Sequence, residues 1–409
     1  MPFITNIRQW IVVSSIFIFF FGLHLSYKYA QYNDFKKEPL FVFKGKISNI
    51  YPKEIYQVIK IDTDDFTFFT SVKSNEKFNQ NDYVKGYLIT KKISFIEYLK
   101  GFYGLSFNLY SIPNRGTIQE LSSFIENQHE NPTIQRLFNA LFLAVPINQV
   151  LREQCALFGI SHLVAISGFH LSILSGILFF MLYYPYQFIH QKYFPYRNKK
   201  FDLLVMVGIL LGMYLVLTGF VPSLLRAFIM LILGIFFARS HIKIISFETL
   251  LLVIFIVLVL FPTLTFSLSF WFSISGVFYI FLFLHYFISL PKIVQFFAFN
   301  IWIYLAMDPI VHYFFDVTSL AQLFSPLLTL VFTVFYPLEL FLHFIGYGGL
   351  LDAGIEYGLN LKFETSSKIT PFYVLVLYVV LSLLSIKSKK SFMLLNGLLI
   401  VFSLWLYVF

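Results

Sequence analysis

Residues 159–176, GISHLVAISGFHLSILSG, carry groups that could do chemistry inside a membrane. The run is apolar enough to lie in a bilayer, yet it holds Ser161, His162, Ser167, His170, Ser172 and Ser175, with glycines at 159, 168 and 176. Polar groups in hydrocarbon are costly unless they face a protein interior or a wet cavity. Glycines at that depth suit a broken helix, tolerated where protein or water satisfies the freed backbone. Such a break aims a helix N-terminus, a ready-made anion site, into the cavity. The plainer reading is a helix packed through its small residues, its histidines bonded to neighbours. Ser167-Gly168 would be a nucleophile only with a base in hydrogen-bond reach. Arg226, just past Pro222-Ser223 in a second apolar run, is a functional candidate by default, with an interface arginine as the bland alternative. Asp308 and His312, an i,i+4 pair in a third apolar run, read as a hydrogen-bonded structural pair. His162 and His170 stand eight residues apart with no third ligand nearby, so no metal is expected.

The elements that position these groups must be membrane helices. Of 409 residues, 58% are hydrophobic and 12% charged, against about 25% charged in ordinary soluble domains. The fold class is therefore a polytopic α-helical membrane protein, with a small all-β (OB-like) extracytoplasmic domain near the N-terminus. The net charge of +9 is largely topology signal, because Lys and Arg collect in cytoplasmic loops; it also suits a polyanionic cargo, weakly. The lone Cys155 excludes an intramolecular disulfide and any cysteine metal cluster. Residues 1–37 read as an uncleaved N-terminal anchor around the apolar run 10–27; a cleaved signal peptide is the rival. Further spans are expected at 160–184, 202–220, 223–238, 246–261, 266–290, 319–345, 371–386 and 391–409. The clusters Lys192/Arg197/Lys199/Lys200, Arg239/Lys243, Lys292 and Lys387/Lys389/Lys390 all fall inside if 319–345 crosses once and 293–312 is re-entrant. That count puts the β domain outside, makes 346–370 an external loop and leaves 371–409 as C-terminal transmembrane helices.

Residues 38–92 alternate in the manner of short strands, as in Phe41 and Phe43 against Val42 and Lys44. They suit a small barrel of the OB kind, a fold that commonly binds oligonucleotides. Lys44, Lys46, Lys60, Lys73 and Lys77, interleaved with Tyr56 and Phe68, could hold a single strand by charge and stacking. Asp62, Asp64 and Asp65 favour a merely solvated face. Residues 93–150 read as amphipathic helices at the membrane surface.

Three blocks resemble the ComEC competence family. GISHLVAISGFHLSIL (159–174) is similar to its Gly-Leu-Ser-His-Leu-Leu-Ala-Ile-Ser-Gly-Leu-His signature, VPSLLRAFIM (221–230) to its Ser-x-x-Arg-Ala-x-x-Met block, and FPTLTFSLSFWFSISG (261–276) to its Phe-x-Leu-Ser-Phe block. FSPLLTLVFTVFYPLEL (324–340) stands where a looser fourth block is found. The likeness covers about 130–345, and Phe169 and Trp271 depart from it conservatively. It implies a competence channel domain over 151–345, in an inner-membrane channel that passes single-stranded DNA from periplasm to cytoplasm during natural transformation. The channel-lining or structural candidates are then Ser161, His162, Ser167, Gly168, His170, Arg226 and Asp308, and 38–92 is the family's periplasmic OB-like domain. Implied partners are single-stranded DNA, membrane lipid, a periplasmic DNA receptor and cytoplasmic strand-binding or motor proteins. No catalytic residue or cofactor is implied. Many members add a metallo-β-lactamase-like domain, but no His-x-His-x-Asp-His run occurs here, so strand degradation is expected of another protein or not at all. No phosphate-binding Gly-x-x-x-x-Gly-Lys-Ser/Thr loop is present either. Two alternatives stay open. One is a small-solute permease. The other is an intramembrane serine hydrolase, since Ala165-Ile166-Ser167-Gly168 is similar to the rhomboid Gly-x-Ser-Gly pattern without its first glycine.

Overall fold

The computed structural model describes residues 6–73, 78–80, 82–112, 117–237 and 245–408; Lys77, Arg239 and Lys243 lie outside them. The chain opens with α1 (Ile7–Lys37), whose 31 residues reach about 46 Å and overshoot a hydrocarbon core of about 30 Å. The overshoot is used. Tyr32 and Phe35, 7% and 2% exposed, enter the core of the β domain, and Tyr32 Oη donates to the Ile93 carbonyl at 2.8 Å.

That domain consists of β1 (Leu40–Pro52), β2 (Tyr56–Asp62), β3 (Thr67–Lys73), β4 (Tyr83–Ile89), helix α2 (Phe95–Lys100), β5 (Phe102–Tyr103) and β6 (Ser106–Ile112), in sheet order β5-β3-β2-β1-β4-β6. The sheet curls shut through its last segment. Phe102 and Tyr103 pair parallel with β3, Gly104 N–H donates to the Phe69 carbonyl at 2.8 Å, and β6 pairs antiparallel with β4. The expected boundary at 92 is therefore corrected. Residues 102–112 are strand, not surface helix, and the domain ends near Ile112. Alternation fails to announce β6 because Asn108, at φ 54°, puts an irregularity in its ladder.

Helices follow: α3 (Thr117–Glu126), α4 (Pro132–Leu143), α5 (Gln149–Leu157), α6 (Ser161–Val164), α7 (Gly168–Tyr193), α8 (Lys199–Leu217), α9 (Pro222–Phe237), α10 (Phe247–Leu260), α11 (Leu268–Phe287) and α12 (Lys292–Phe314). After β7 (Val317–Thr318) come α13 (Ser325–Phe344), α14 (Asp352–Leu359), β8 (Ser366–Ser367), α15 (Phe372–Leu384) and α16 (Lys389–Tyr407). Among the described residues, seven helices are long and apolar enough to cross a membrane, and α9, α10 and α15 are shorter apolar helices.

The bundle has a head and a foot. At the head, α7, α9 and α11 begin together: Ser223 Oγ donates to the Ile166 carbonyl at 2.6 Å, and Arg226 Nε donates to Ser273 Oγ at 2.8 Å. Tyr214, at the end of α8, and Val259, at the end of α10, lie at that end too, bonded to Phe142 and His24. The β domain stands on the same end, with Lys100 Nζ 5.0 Å from the Phe266 ring centroid. At the foot, Tyr286 of α11 bonds the Ser385 carbonyl beyond α15.

Two segments differ in what holds them. The segment 293–312, expected to be re-entrant, is one unbroken 23-residue helix, α12, whose end meets the head as Phe314 packs edge-on to Phe272. Asp308 and His312 do not break it because both are buried inside the bundle. The segment 319–345, expected to cross, holds α13, which is long and apolar enough to do so, yet its partners gather at the head. Along α13, Ser325 bonds Gly159, Thr329 lies 3.4 Å from His162, Phe332 and Tyr336 pack on His170, and His343 meets His129. The pairing of β7 with β8 then ties the end of α12 to the start of α15. Hydropathy cannot separate a helix lying across an apolar slab from one lying along it.

The seating of α1 in the barrel yields a prediction. Phe35→Ala should cost the β domain about 3–5 kcal/mol, the usual figure for emptying a buried phenylalanine site. Limited proteolysis of the full chain should then cut within 38–112 faster than in wild type, while the helical part keeps its protection.

Candidate functional site

The stretch 159–176 is broken. Helix α5 ends at Leu157, Gly159 takes φ +65°, α6 makes a single turn, and α7 restarts at Gly168 with Ser167 as its N-cap. The freed backbone is answered by side chains from elsewhere. Gln322 Nε2 donates to the Ala156 carbonyl at 3.0 Å, Ser325 Oγ and His162 Nδ1 each reach the Gly159 carbonyl at 3.0 Å, and Ser223 takes that of Ile166.

Ser167 and His170 form a capping box. Ser167 Oγ accepts from Phe169 N–H at 3.3 Å, and His170 Nδ1 lies 3.2 Å from both the backbone nitrogen and the hydroxyl of Ser167. His170 is fully buried against Tyr336 and Phe332, and no carboxylate hydrogen-bonds it among the described residues. Ser161, His162 and Ser172 are exposed, as is Thr333 of α13, two turns beyond the Ser325 that bonds Gly159. The break thus presents a polar strip, with the half-buried Thr329 touching His162, on a bundle whose other exposed positions are mostly apolar.

Arg226 lies directly beneath. It is 5% exposed, its Nε donates to Ser273 Oγ, and its Nη1 contacts Met230 Sδ at 3.2 Å. A Cβ placed on Gly168 would come within 2.8 Å of its Nη2, so the guanidinium packs on the first residue of α7. No carboxylate pairs with it among the described residues. A buried cation against the positive end of a helix dipole, without a counter-ion, is a focus for an anion.

Asp308 does not join this group. Its Oδ2 accepts from Tyr407 Oη at 3.2 Å, between α12 and α16. Asp308 and His312 are hydrogen-bonded, as expected, but through the backbone: His312 Nδ1 donates to the Asp308 carbonyl at 3.0 Å, while the carboxyl is engaged by Tyr407.

The DNA-binding candidates in the β domain separate. Phe68 is fully buried against Phe43, centroids 4.8 Å apart, and cannot stack on a base; strand alternation points it into the barrel. Lys46 sits half-buried across from Asp62; burial pushes its ammonium pKa below the ordinary lysine value, and Asp62 opposes the shift. Lys60 lies 3.9 Å from Asp62, and the exposed Tyr56 and Lys73 face each other across β2 and β3. Lys44 is different. It stands opposite Lys85 on β4, both exposed, and Lys85 stands opposite Tyr110 on β6. One step along the same face, Tyr87 and Phe107 stack at 5.5 Å. Two like charges directly opposed destabilise a sheet unless an anion joins them. The sequence reading passed over Tyr87, Phe107 and Tyr110; period-two alternation with Lys85 could have found Tyr87.

Gly168 gives the site a test of packing. Gly168→Ala must move the Arg226 guanidinium and should cost about 1–3 kcal/mol, as overpacking does. Gly176→Ala, with nothing within 4 Å of the added carbon, should be neutral or stabilising by up to about 1 kcal/mol. Thermal unfolding of the purified chain in detergent compares the two.

No curated protein and no solved structure matches the chain. A family model described as Competence protein matches residues 145–408, past the 345 at which the sequence likeness was expected to end, and takes in the broken stretch, Arg226, α12 and both C-terminal helices. That match spans well over half of the chain, which therefore belongs to the Competence protein family, a family associated with DNA uptake in transformation.

Proposed function

We propose that the chain passes single-stranded DNA from periplasm to cytoplasm across the inner membrane. The observation that carries this reading is Arg226, buried without a carboxylate against the N-terminus of α7, beneath an exposed polar strip at the head of the bundle. A strand entering there would have its phosphates answered in turn by a guanidinium and a helix N-terminus, which replace part of its hydration.

The topology of this reading starts with a cytoplasmic N-terminus. Helices α1, α7 to α12, α15 and α16 cross, and α13 lies along the outer head. Lys292 and Lys387, Lys389 and Lys390 then fall on the cytoplasmic side, as the charge rule asks. The head faces the periplasm, so the barrel, read as an OB-like domain, stands over the entrance. Its Lys44, Lys85, Tyr87, Phe107 and Tyr110 offer the mixture of charge and stacking that holds single strands. A periplasmic receptor would supply the strand, and a cytoplasmic strand-binding or motor protein would take it up.

The serine hydrolase reading keeps one supporting contact, Ser167 Oγ at 3.2 Å from His170 Nδ1. That hydroxyl already caps α7, so we favour a positioning role for it and propose no hydrolytic step.

The decisive experiment supplies fluorescent duplex DNA to cells lacking the chain. Label should enter the periplasm and never the cytoplasm; unchanged cytoplasmic entry would favour a small-solute permease. In complemented cells, Arg226→Gln should cut cytoplasmic entry at least tenfold while periplasmic arrival stays normal, and Arg226→Lys should restore part of it.

The barrel face makes its own prediction. Lys44→Ala and Lys85→Ala should each weaken single-strand binding by the full chain at low salt and reduce the slope of log affinity against log salt by about one. Lys46→Ala should leave the slope nearly unchanged.

A further inference from the structure

The far end of α13 enters a second polar cluster, separate from the strip and from Arg226. His129, 6% exposed, stacks on Phe138 with centroids 4.7 Å apart. Its Nδ1 lies 2.9 and 3.0 Å from the two carboxyl oxygens of Asp352, at the start of α14. Its Nε2 lies 2.9 Å from Nε2 of His343, itself 4% exposed. His343 Nδ1 points at the Glu339 carbonyl, 2.7 Å away, with Glu339 Oε2 at 3.3 Å. Glu339 is fully buried, and neither carboxyl oxygen has a hydrogen-bond partner among the described residues. The other charged groups nearby are spent or turned away. Glu126 accepts from Ser122 and Asn139, Glu356 accepts from Asn131, and Arg136 of α4 is exposed.

Counting hydrogens along this chain gives a definite answer. A carbonyl only accepts, so His343 Nδ1 carries a hydrogen. If Asp352 is ionised, His129 Nδ1 carries one as well, and the two Nε2 atoms, 2.9 Å apart, need a third hydrogen between them. If Asp352 is instead protonated and donates to His129, it holds the additional hydrogen itself. We infer that His129, His343 and Asp352 form a buried proton-binding site, holding one proton more than two neutral imidazoles and a carboxylate. In the first arrangement the shared imidazolium lies beside the Glu339 carboxyl, 3.3 Å from His343 Nδ1. A metal ion fits less well. Two imidazoles on a tetrahedral zinc stand about 3.3 Å apart, nitrogen to nitrogen. The sequence also closes the space: a Cβ on Gly348 would come 2.7 Å from His343 Nε2.

The site lies where three pieces meet, the turn after α3, the end of α13 and the start of α14, which are also linked by Gln128 to His343 and Gly348 and by Asn131 to Glu356. It works as a proton-dependent fastener for the outer end of α13. Its sign follows from the count. Unfolded histidines release their protons near pH 6.5 and carboxylates near pH 4, so above neutrality the folded cluster binds one proton more than the unfolded chain. Stability should then fall as pH rises, by about tenfold in the folded-to-unfolded ratio per pH unit for as long as the proton is kept.

The test uses the full chain in lipid nanodiscs, following thermal unfolding from pH 7 to pH 9. The wild-type midpoint should drop with rising pH more steeply than that of His129→Gln, with no effect of EDTA and no rise on adding zinc. Equal slopes would overturn the proposal, and so would a midpoint lowered by EDTA, which would make this a metal site. Should His129→Gln fail to fold, histidine-selective nitrogen-15 NMR of the wild type at pH 8 decides. A protonated or hydrogen-sharing imidazole pair supports the site. Histidines that are all neutral, together with ionised Asp352 by carboxyl carbon-13 shifts, refute it.

Discussion

A chain that leaves the helix at membrane depth must find partners for every backbone group it frees. That constraint organises the head of this bundle. The carbonyls freed in the break between Leu157 and Gly168 are taken by Gln322 and Ser325 from one side and by Ser223 from another. Satisfying the break therefore docks the start of α13 and the start of α9. Docking α9 brings Arg226 beneath Gly168, where only the absence of a side chain leaves room. The cation, the helix N-terminus and the exposed serines are consequences of one local interruption.

The same economy governs the β domain. Six short strands around a small core form a unit of marginal size. The domain borrows Tyr32 and Phe35 from the membrane anchor, where Phe35 packs among Phe41, Phe66, Tyr98 and Phe102. An anchor that is also part of the core cannot swivel freely beneath its domain. The face bearing Lys44, Lys85, Tyr87 and Phe107 is thereby held in one relation to the bundle head, with Lys100 against Phe266 and Gln80 against Pro146 as further points of contact. On the proposed reading, such a fixed domain would present a flexible polyanion to the opening.

Much of this was legible in the residues, and the failures have physical causes. Membrane helices announce themselves by length and hydropathy, and the break announced itself by glycine and serine where leucine would be cheaper. Arg226 was visible because a charge in an apolar run demands a reason. What hydropathy cannot encode is direction. Helices α12 and α13 are both apolar and both carry titratable residues, and only tertiary contacts reveal that α12 runs from foot to head while Thr329, Phe332, Tyr336 and His343 keep α13 at the head. Phe68 was misread because a strand's period shows that faces alternate without showing which face is inside. His129, His343 and Asp352 were passed over altogether. They stand 214 and 223 positions apart along the chain from His129, and no local spacing connects them.

Those two polar centres sit at opposite ends of one helix. The first turns of α13 close the break beside His162, and its last turn carries His343 into the proton-binding cluster. Between them, Leu327, Val331, Val334, Leu338 and Phe341 are exposed, an apolar flank that suits lipid and resists neither sliding nor tilting. The opposite flank is buried, with Phe332 and Tyr336 packed on His170 and Phe142, so the polar ends add to a helix already seated through its middle. If the cluster loses its proton, the repulsion between two bare imidazole nitrogens at 2.9 Å must be relieved by movement, and the movement open to α13 is away from α3 and α14. On the proposed reading, proton occupancy at the periplasmic head would bear on how firmly the polar strip is closed, with no nucleotide-binding motif required in this chain.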